Sequence, residues 1–481
     1  MKLNLLFDYD ANRRVGLISG NYFDQIRDIF SVENDAAKFA RHYGRFMAKR
    51  KYAITPTGRF DPCLYYEIRK YIKSNKIDVK IHETELFKKI VLPAYTTKKI
   101  PELSLPLRDY QRSVVNTCLS VGRGVTVLAT AGGKTLTIAT LIESIYQSDN
   151  NIKGLIIVPD LMLVNQTYGD FINYKVTFSF SKWTGNNKLN LGSNIIIANT
   201  GILQSSKTDI SWIDHVDLLI IDEVHKLRKN NKINKVIKNI RTNHRFGFTG
   251  TMPENAEDQW NIIGKIGPIL YEKNSFQLRS EKYIANAEAL ILKLSYKNPP
   301  RHFLRRATDP GERYRKESEF LRGNTFRNNT ISTLVNNFTN NGLILVDYIE
   351  HGEILEKHLK QKCEDKQIYF IRGDVPVEDR DKIKQLIEQK TNVICVAISK
   401  IFSTGISINN LHYIVFAGGG KAKIKILQSI GRGLRKHKDK KKVMIIDIAD
   451  QLYYGIKHMN KRLSIYKEEN LNYGTKKIEE K

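Results

Sequence analysis

The chain has 481 residues, 41% of them hydrophobic, which is room for about three domains and enough apolar content to exclude wholesale disorder. Its net charge is +28; such an excess favours a polyanionic partner through counterion release, with a lysine-rich solvated surface as the plainer alternative. Cys63, Cys118, Cys363 and Cys395 form no C-x-x-C pair and have no His cluster beside them, which argues against a zinc site or disulfide framework and fits the reducing cytoplasm. No run of about 18 apolar residues predicts a membrane span, and the N-terminus turns acidic at Asp8, too early for a secretion signal.

Residues 1–100 read as a small basic α+β block, with about twenty Lys/Arg against about eleven Asp/Glu over its length. Strands are expected at Leu3 to Phe7 and Val15 to Ser19, a helix near Tyr22 to Phe30, and an amphipathic segment from Pro62 to Ile72. The proline-punctuated stretch from Pro93 to Pro106 reads as a linker.

From residue 101 to 277 the pattern changes. Short apolar runs at Val125 to Leu128, Gly154 to Val158, Asn194 to Ala198, Val216 to Ile221 and Phe246 to Thr249 alternate with helix-length segments. That predicts a parallel sheet covered on both faces. Residues 278–330, charged and carrying Pro299, Pro300 and Pro310, read as a connector. A second alternating block, 331–481, has expected strands at Gly342 to Val346, Gln367 to Ile371, Asn392 to Ala397, Tyr413 to Ala417 and Val443 to Ile448. The Lys/Glu-rich tail after Lys457 reads as helical or frayed.

Three constellations carry chemistry. Thr130-Ala131-Gly132-Gly133-Lys134-Thr135 follows a strand and precedes a helix, the setting of a phosphate-cradling loop. There Lys134 would neutralise the β- and γ-phosphates and the Thr135 hydroxyl would ligate Mg²⁺. Leu128 stands where the general pattern has its first glycine. Asp222-Glu223 ends a buried strand, where carboxylates project into the ligand crevice. Asp222 would hold Mg²⁺, and Glu223 would orient and deprotonate the attacking water. His225, Thr249 and Thr251 read as residues that couple the pocket to a second lobe, although Thr249 and Thr251 could equally cap a turn. Arg108, Tyr110 and Gln111 lie just upstream, and a Gln amide suits an adenine edge, hence ATP. Gln428, Arg432 and Arg435 form the third set. Two arginines three apart, about three hundred residues after Lys134, suggest a second lobe that supplies cations to the same phosphates.

In this order, Arg108-Asp109-Tyr110-Gln111, Gly133-Lys134-Thr135, Val158-Pro159, Asp222-Glu223-Val224-His225, Thr249-Gly250-Thr251, Phe402 to Ser407 and Gln428 to Arg435 resemble the motifs of superfamily 2 helicases over residues 105 to 450. The run Ile401 to His412, continued to Lys436-His437, is similar to the bacteriophage recombination helicases of the UvsW type. Phe23 to Ser31 resembles the start of that branch's duplex-DNA-binding domain, with Tyr43-Gly44-Arg45 and Lys49-Arg50-Lys51 beyond it. The resemblance implies two tandem RecA-like domains after a small DNA-binding domain, with ATP between the lobes and Gly405 beside it. It implies an ATP-dependent motor on forks, Holliday junctions and R-loops, acting in recombination, replication and repair as a monomer on DNA and in the host cytoplasm. Backbone N–H and hydroxyl groups in the loop after Pro159, around Thr200, Gly201 and Gly373, and at Ser403 and Thr404 would grip phosphates without reading sequence. An RNA helicase, an RNA–DNA hybrid as partner, or an annealing protein with a vestigial ATPase stay open on the residues alone. The lysines from Lys436 to Lys442 read as added DNA affinity or as a solvated run.

Overall fold

The computed structural model describes residues 2–34, 36–37, 47–95, 97, 99–299, 309–373, 375, 377–402, 408–418, 430–431, 434, 440 and 442–481. The expected site residues Ser403, Thr404, Gly405, Gln428, Arg432 and Arg435 lie outside the described residues, as do Tyr43, Gly44 and Arg45. Contacts divide the chain into two compact units, Met1–Leu128 with Gly133–Glu272, and Ala129–Gly132 with Lys273–Lys481.

In the first unit, β1 (Leu3–Asp10) and β2 (Val15–Ser19) form an antiparallel hairpin. β3 (Ser31–Glu33) and β4 (Arg50–Tyr52) form a separate ribbon. β5 (Arg59–Phe60) joins β2, and β6 (Val79–Glu83) pairs with β1 in parallel, giving the order β5-β2-β1-β6. Leu5, Phe7, Ile26, Phe60, Ile68 and Phe87 make this block's core, with the Phe7 ring edge-on to Tyr65 at 5.0 Å. The block also packs on the lobe that follows, since Trp260 joins its core cluster. Arg50 and Lys51, in the basic run Lys49-Arg50-Lys51, are engaged within the protein. Arg50 Nε donates to Ser31 Oγ at 2.8 Å and Lys51 pairs with Glu257 at 3.3 Å.

The Pro93 to Pro106 stretch forms no regular element among its described residues but is fastened to the lobe. Tyr95 N donates to Leu119 O, its ring stacks on His244 at 3.9 Å, and Ser104 bonds to Tyr174 O and Asn173 O. The prolines signalled irregular backbone correctly; they could not say whether it was tied down.

The lobe's sheet has seven strands: β7 (Gly124–Leu128), β8 (Gly154–Val158), β9 (Phe180–Trp183), β10 (Ile195–Asn199), β11 (Leu218–Asp222), β12 (Arg245–Thr249) and β13 (Ile269–Lys273). The order is β13-β7-β12-β11-β8-β10-β9. β7, β8 and β11 are buried at every position, which is why they read as unbroken apolar runs. Parallel register sets Asp222 level with Phe248 and Thr249 level with Val127. Every loop that bears chemistry therefore leaves the same edge of the sheet.

The second unit holds another seven-stranded parallel sheet. Its strands are β14 (Asn286–Ser295), β15 (Gly342–Val346), β16 (Gln367–Ile371), β17 (Val393–Ile398), β18 (Tyr413–Phe416), β19 (Lys442–Asp450) and β20 (Asn472–Glu479), in the order β16-β17-β15-β18-β19-β14-β20. Two tandem RecA-like lobes after a small mixed α+β block is the resulting architecture. Residues 278–330 are not all connector: β14 lies between β19 and β20 and pairs with both. It is buried on both faces, with Ala287, Ala289 and Ile291 on one side and Leu292 and Leu294 on the other, a pattern interrupted in sequence by Glu288 and Lys293. The tail likewise ends in strand β20 after the helix Tyr453–Glu468. Of the expected lysine run, Lys440 is buried on Asn409 O and Lys442 pairs with Glu288 at 2.7 Å. Neither is a free surface cation.

Candidate nucleotide site and its neighbours

The loop after β7 turns into the helix Lys134–Tyr146 through two residues with positive φ, Ala131 at 69° and Gly133 at 75°. Such alternation aims successive N–H groups into one concavity, the geometry that receives phosphate oxygens. A β-carbon at position 133 would sit 2.3 Å from Gln111 Nε2, so glycine is required both by φ and by space. The helix begins without a side-chain cap, which leaves its positive end to an anion.

Gln111 is 2% exposed and braces this loop. Its Nε2 donates to Gly133 O at 3.1 Å, while its Oε1 accepts from Arg108 N at 2.9 Å. Both amide atoms are therefore committed to partners within the fold. Arg108 donates to the Tyr110 hydroxyl at 2.9 Å, and Tyr110 is buried. The three residues are thus joined to one another and to the phosphate loop.

At the end of β11, Glu223 adopts φ of 53° and heads the short turn Val224–Lys226. Its carboxylate spans two partners: Oε1 is 3.0 Å from Lys134 Nζ, and Oε2 is 3.2 Å from His225 Nδ1. His225 Nδ1 is also 2.8 Å from Thr249 Oγ1, which donates onward to Thr251 O at 3.0 Å. Because the Thr249 proton is spent on Thr251, Thr249 must accept, and the imidazole carries its proton on Nδ1. His225, Thr249 and Thr251, the expected coupling set, therefore form one chain that starts at Glu223.

Burial disfavours the charge on both carboxylates, and their neighbours separate them. Lys134 and His225 outweigh that cost at Glu223 and hold it well below the usual carboxylate range. At Asp222 burial dominates over Lys134, and with the adjacent Glu223 charge it pushes the carboxyl up to about 6. Glu223 is then ionised, with one oxygen on Lys134 and the other on His225. A divalent cation beside Asp222 would favour its ionised form.

No group of three or more His, Cys, Asp or Glu that could hold a metal occurs among the described residues. The oxygen donors Thr135 and Asp222 fit Mg²⁺, a hard ion that keeps several waters and is commonly completed by substrate phosphates. Pro159 and Thr200 are joined as well: the Thr200 hydroxyl donates to Pro159 O at 3.0 Å, and Gly201 follows on the helix Thr200–Leu203. In strand order, nucleotide residues leave β7, β12 and β11, and these three leave the adjacent β8 and β10. Gly373 follows β16 in the second unit.

Sequence reading did not single out Asn261 and Lys265, on the helix Ala256–Ile266. Asn261 is 2% exposed and donates to Leu227 O at 2.9 Å, at the foot of the Glu223 turn. A polar residue within an apolar helical stripe was the available signal.

A strand-loop-helix phosphate cradle with lysine, beside an Asp-Glu pair on a parallel strand, defines a P-loop nucleoside triphosphatase. The family description "Type III restriction enzyme, res subunit" matches residues 104–254, and "Helicase conserved C-terminal domain" matches residues 327–437. The chain is 27% identical over 494 aligned residues to the ATP-dependent DNA helicase uvsW of Enterobacteria phage T4, covering 95% of each. It is 26% identical to the DNA 3'-5' translocase XPB2 of Sulfurisphaera tokodaii, covering 79% of this chain and 88% of that one. Among solved structures, the ATP-dependent type ISP restriction-modification enzyme LlaBIII bound to DNA aligns with a TM-score of 0.59 at 14% identity, covering 78% of this chain and 31% of the other. That last likeness concerns the fold alone. The chain belongs to the superfamily 2 helicases and is an ATP-hydrolysing, UvsW-like member of them.

Proposed function

We infer that this helicase is a DNA motor that unwinds and branch-migrates forks, Holliday junctions and R-loops in phage recombination, replication and repair. The observation that carries the motor reading is the connected set Lys134–Glu223–His225–Thr249, a hydrolytic centre wired to the strand next to it. Likeness to a phage DNA helicase along 95% of both chains supports DNA rather than RNA as the track.

On this reading the loop Thr130 to Thr135 holds ATP phosphates, with Arg108, Tyr110 and Gln111 at the adenine. Thr135, and Asp222 through water, would hold Mg²⁺, which would neutralise phosphate charge, and Glu223 would accept a proton from the attacking water. Arg432 and Arg435, with Gln428 and Gly405, would complete the pocket from the second lobe, where arginine charge stabilises the transferring phosphoryl group. Pro159, Thr200, Gly201, Gly373, Ser403 and Thr404 would follow the strand by its phosphates. The protein would work as a monomer on DNA in the host cytoplasm, a compartment that suits four buried free thiols. The N-terminal block would bind duplex DNA.

The test is ATP hydrolysis with single-stranded DNA, duplex, forked DNA, a four-way junction and RNA. Forked and four-way substrates should stimulate most, and Lys134→Ala should abolish turnover. Stimulation by single-stranded RNA alone would overturn the DNA assignment, and full activity in Lys134→Ala would overturn the site.

A further inference from the structure

The helix Ala256–Ile266 is shared between two bodies. Its positions 257, 260 and 264, spaced three and four apart, lie on one face. Glu257 pairs with Lys51 at 3.3 Å, and Trp260 packs with Phe30 at 5.4 Å between ring centroids. Gly264 lies so close to Asp61 that a β-carbon there would be 2.6 Å from the Asp61 Cβ. All three partners belong to the N-terminal block. Ile262 and Ile266 point the other way, into the core beneath the nucleotide sheet.

Between these faces runs a continuous polar chain. Asp61 pairs with Lys265 Nζ, which donates to Asn261 Oδ1 at 2.9 Å. The Asn261 amide donates in turn to Leu227 O at 2.9 Å and Asn234 Oδ1 at 3.0 Å. Leu227 N closes the turn on Val224 O at 2.8 Å, and Lys226 N bonds to Glu223 O at 2.9 Å. Four side-chain and backbone steps therefore lead from an aspartate of the N-terminal block to the backbone of the residue that faces the attacking water. Gln259 Nε2 also ties the helix to Pro253 O at 2.7 Å, just past Thr251.

We propose that Asp61, Lys265 and Asn261 form a relay that transmits DNA engagement by the N-terminal block to the turn carrying Glu223, without being needed for basal hydrolysis. The proposal rests on the reading of this chain as a DNA-stimulated ATPase. Its physical basis is that a helix packed on both bodies cannot follow one without moving against the other. Asn261 meets the Glu223 turn through short, buried hydrogen bonds with little slack. Contact with DNA on one side then changes how well Glu223 is placed on the other.

The experiment uses full-length protein and a four-way junction, measuring ATP turnover with and without DNA, KM for ATP, junction affinity and thermal melting. Lys265→Met keeps the apolar stem and removes the charge. It should leave basal turnover, KM and junction affinity within about twofold of wild type, while junction-stimulated kcat falls by about fivefold, the lower end of ordinary coupling between sites. Lys265→Arg should keep most of the stimulation. Asp61→Asn should behave as Lys265→Met does, and the double variant should be no worse than either, because one relay is cut once or twice. Normal stimulation in Lys265→Met and Asp61→Asn would overturn the relay. So would an equal fall of basal and stimulated kcat, which marks a purely structural role. A wild-type protein that no DNA stimulates overturns the functional reading itself and the relay with it, an outcome distinct from either.

Discussion

Glu223→Gln separates what Glu223 does for water from what it does for Lys134. The Glu223 carboxylate accepts from Lys134 at 3.0 Å, with both side chains 13% exposed. A hydrogen bond to a charged group contributes about 1.5–3 kcal/mol; the glutamate bond, with both partners charged, falls toward the upper end and the glutamine bond, with only Lys134 charged, toward the lower. Lys134 must loosen that bond to reach ATP phosphates, so the substitution lowers the cost by about 1 kcal/mol, or about fivefold in affinity. Removing the base should slow turnover by about 10²–10⁴-fold. Glutamine also meets a conflict at its other partner. Whichever way its amide is turned, an NH₂ faces either the Lys134 ammonium or the Nδ1 proton of His225. The imidazole can relieve this only by moving its proton to Nε2, at the expense of the Thr249–Thr251 link. The expected outcome is thus tighter ATP binding with near-complete loss of hydrolysis, measured by nucleotide titration and by phosphate release. Weaker ATP binding together with more than about a tenth of wild-type turnover would refute the assignment of Glu223 as base.

Two further predictions concern the seam between the N-terminal block and the first lobe. Arg123 is 3% exposed and donates to Ile266 O, Ile90 O and Lys265 O. Arg245 also reaches Lys265 O, so Arg123→Met strands one buried and one half-buried carbonyl, costs roughly 2 kcal/mol and should lower the melting temperature by about 4 °C or more. A melt within about 1 °C of wild type would contradict it. Although burial alone would raise it, Lys265 holds the Asp61 carboxyl below its ordinary 3.8. A depressed carboxylate stabilises the folded state above the unfolded value and loses that contribution as pH falls through the folded one. Wild-type protein should therefore lose melting temperature below about pH 4 more steeply than Asp61→Asn, which starts lower at neutral pH; parallel curves would show that the pair contributes nothing.

Much of the architecture was legible because buried parallel strands have no polar face. Gly154–Val158, Gly342–Val346 and Gln367–Ile371 begin and end where their residues predicted. β14 and β20 were missed for the converse reason. β14 does carry an apolar run, Ala289 to Leu292, but it is flanked by Glu288 and Lys293 and sits in a charged, proline-containing region, whereas β20 is almost entirely exposed and depends on pairing with its neighbour. At the site, Lys134, Asp222 and Glu223 were visible from residue type and from their position at strand ends. Gln111 was expected at adenine, and its bracing of Gly133 could not be read, since the two lie 22 positions apart.

By itself the sequence determined the kind of machine: two parallel-sheet lobes, a phosphate cradle, an acidic pair, and a basic block ahead of them. Those features are set by local chemistry, by which residues suit a buried strand, a positive-φ turn or a phosphate. Tertiary structure alone decided the wiring. It showed Glu223 shared between Lys134 and His225, and it fixed the proton on Nδ1 of that histidine. It also showed the N-terminal block fastened to the lobe through Asp61, Lys265 and Asn261 rather than hung on a linker. Asp61 and Lys265 are 204 positions apart. Their pairing depends on how one helix face sits against another body, and no local pattern in the chain encodes that.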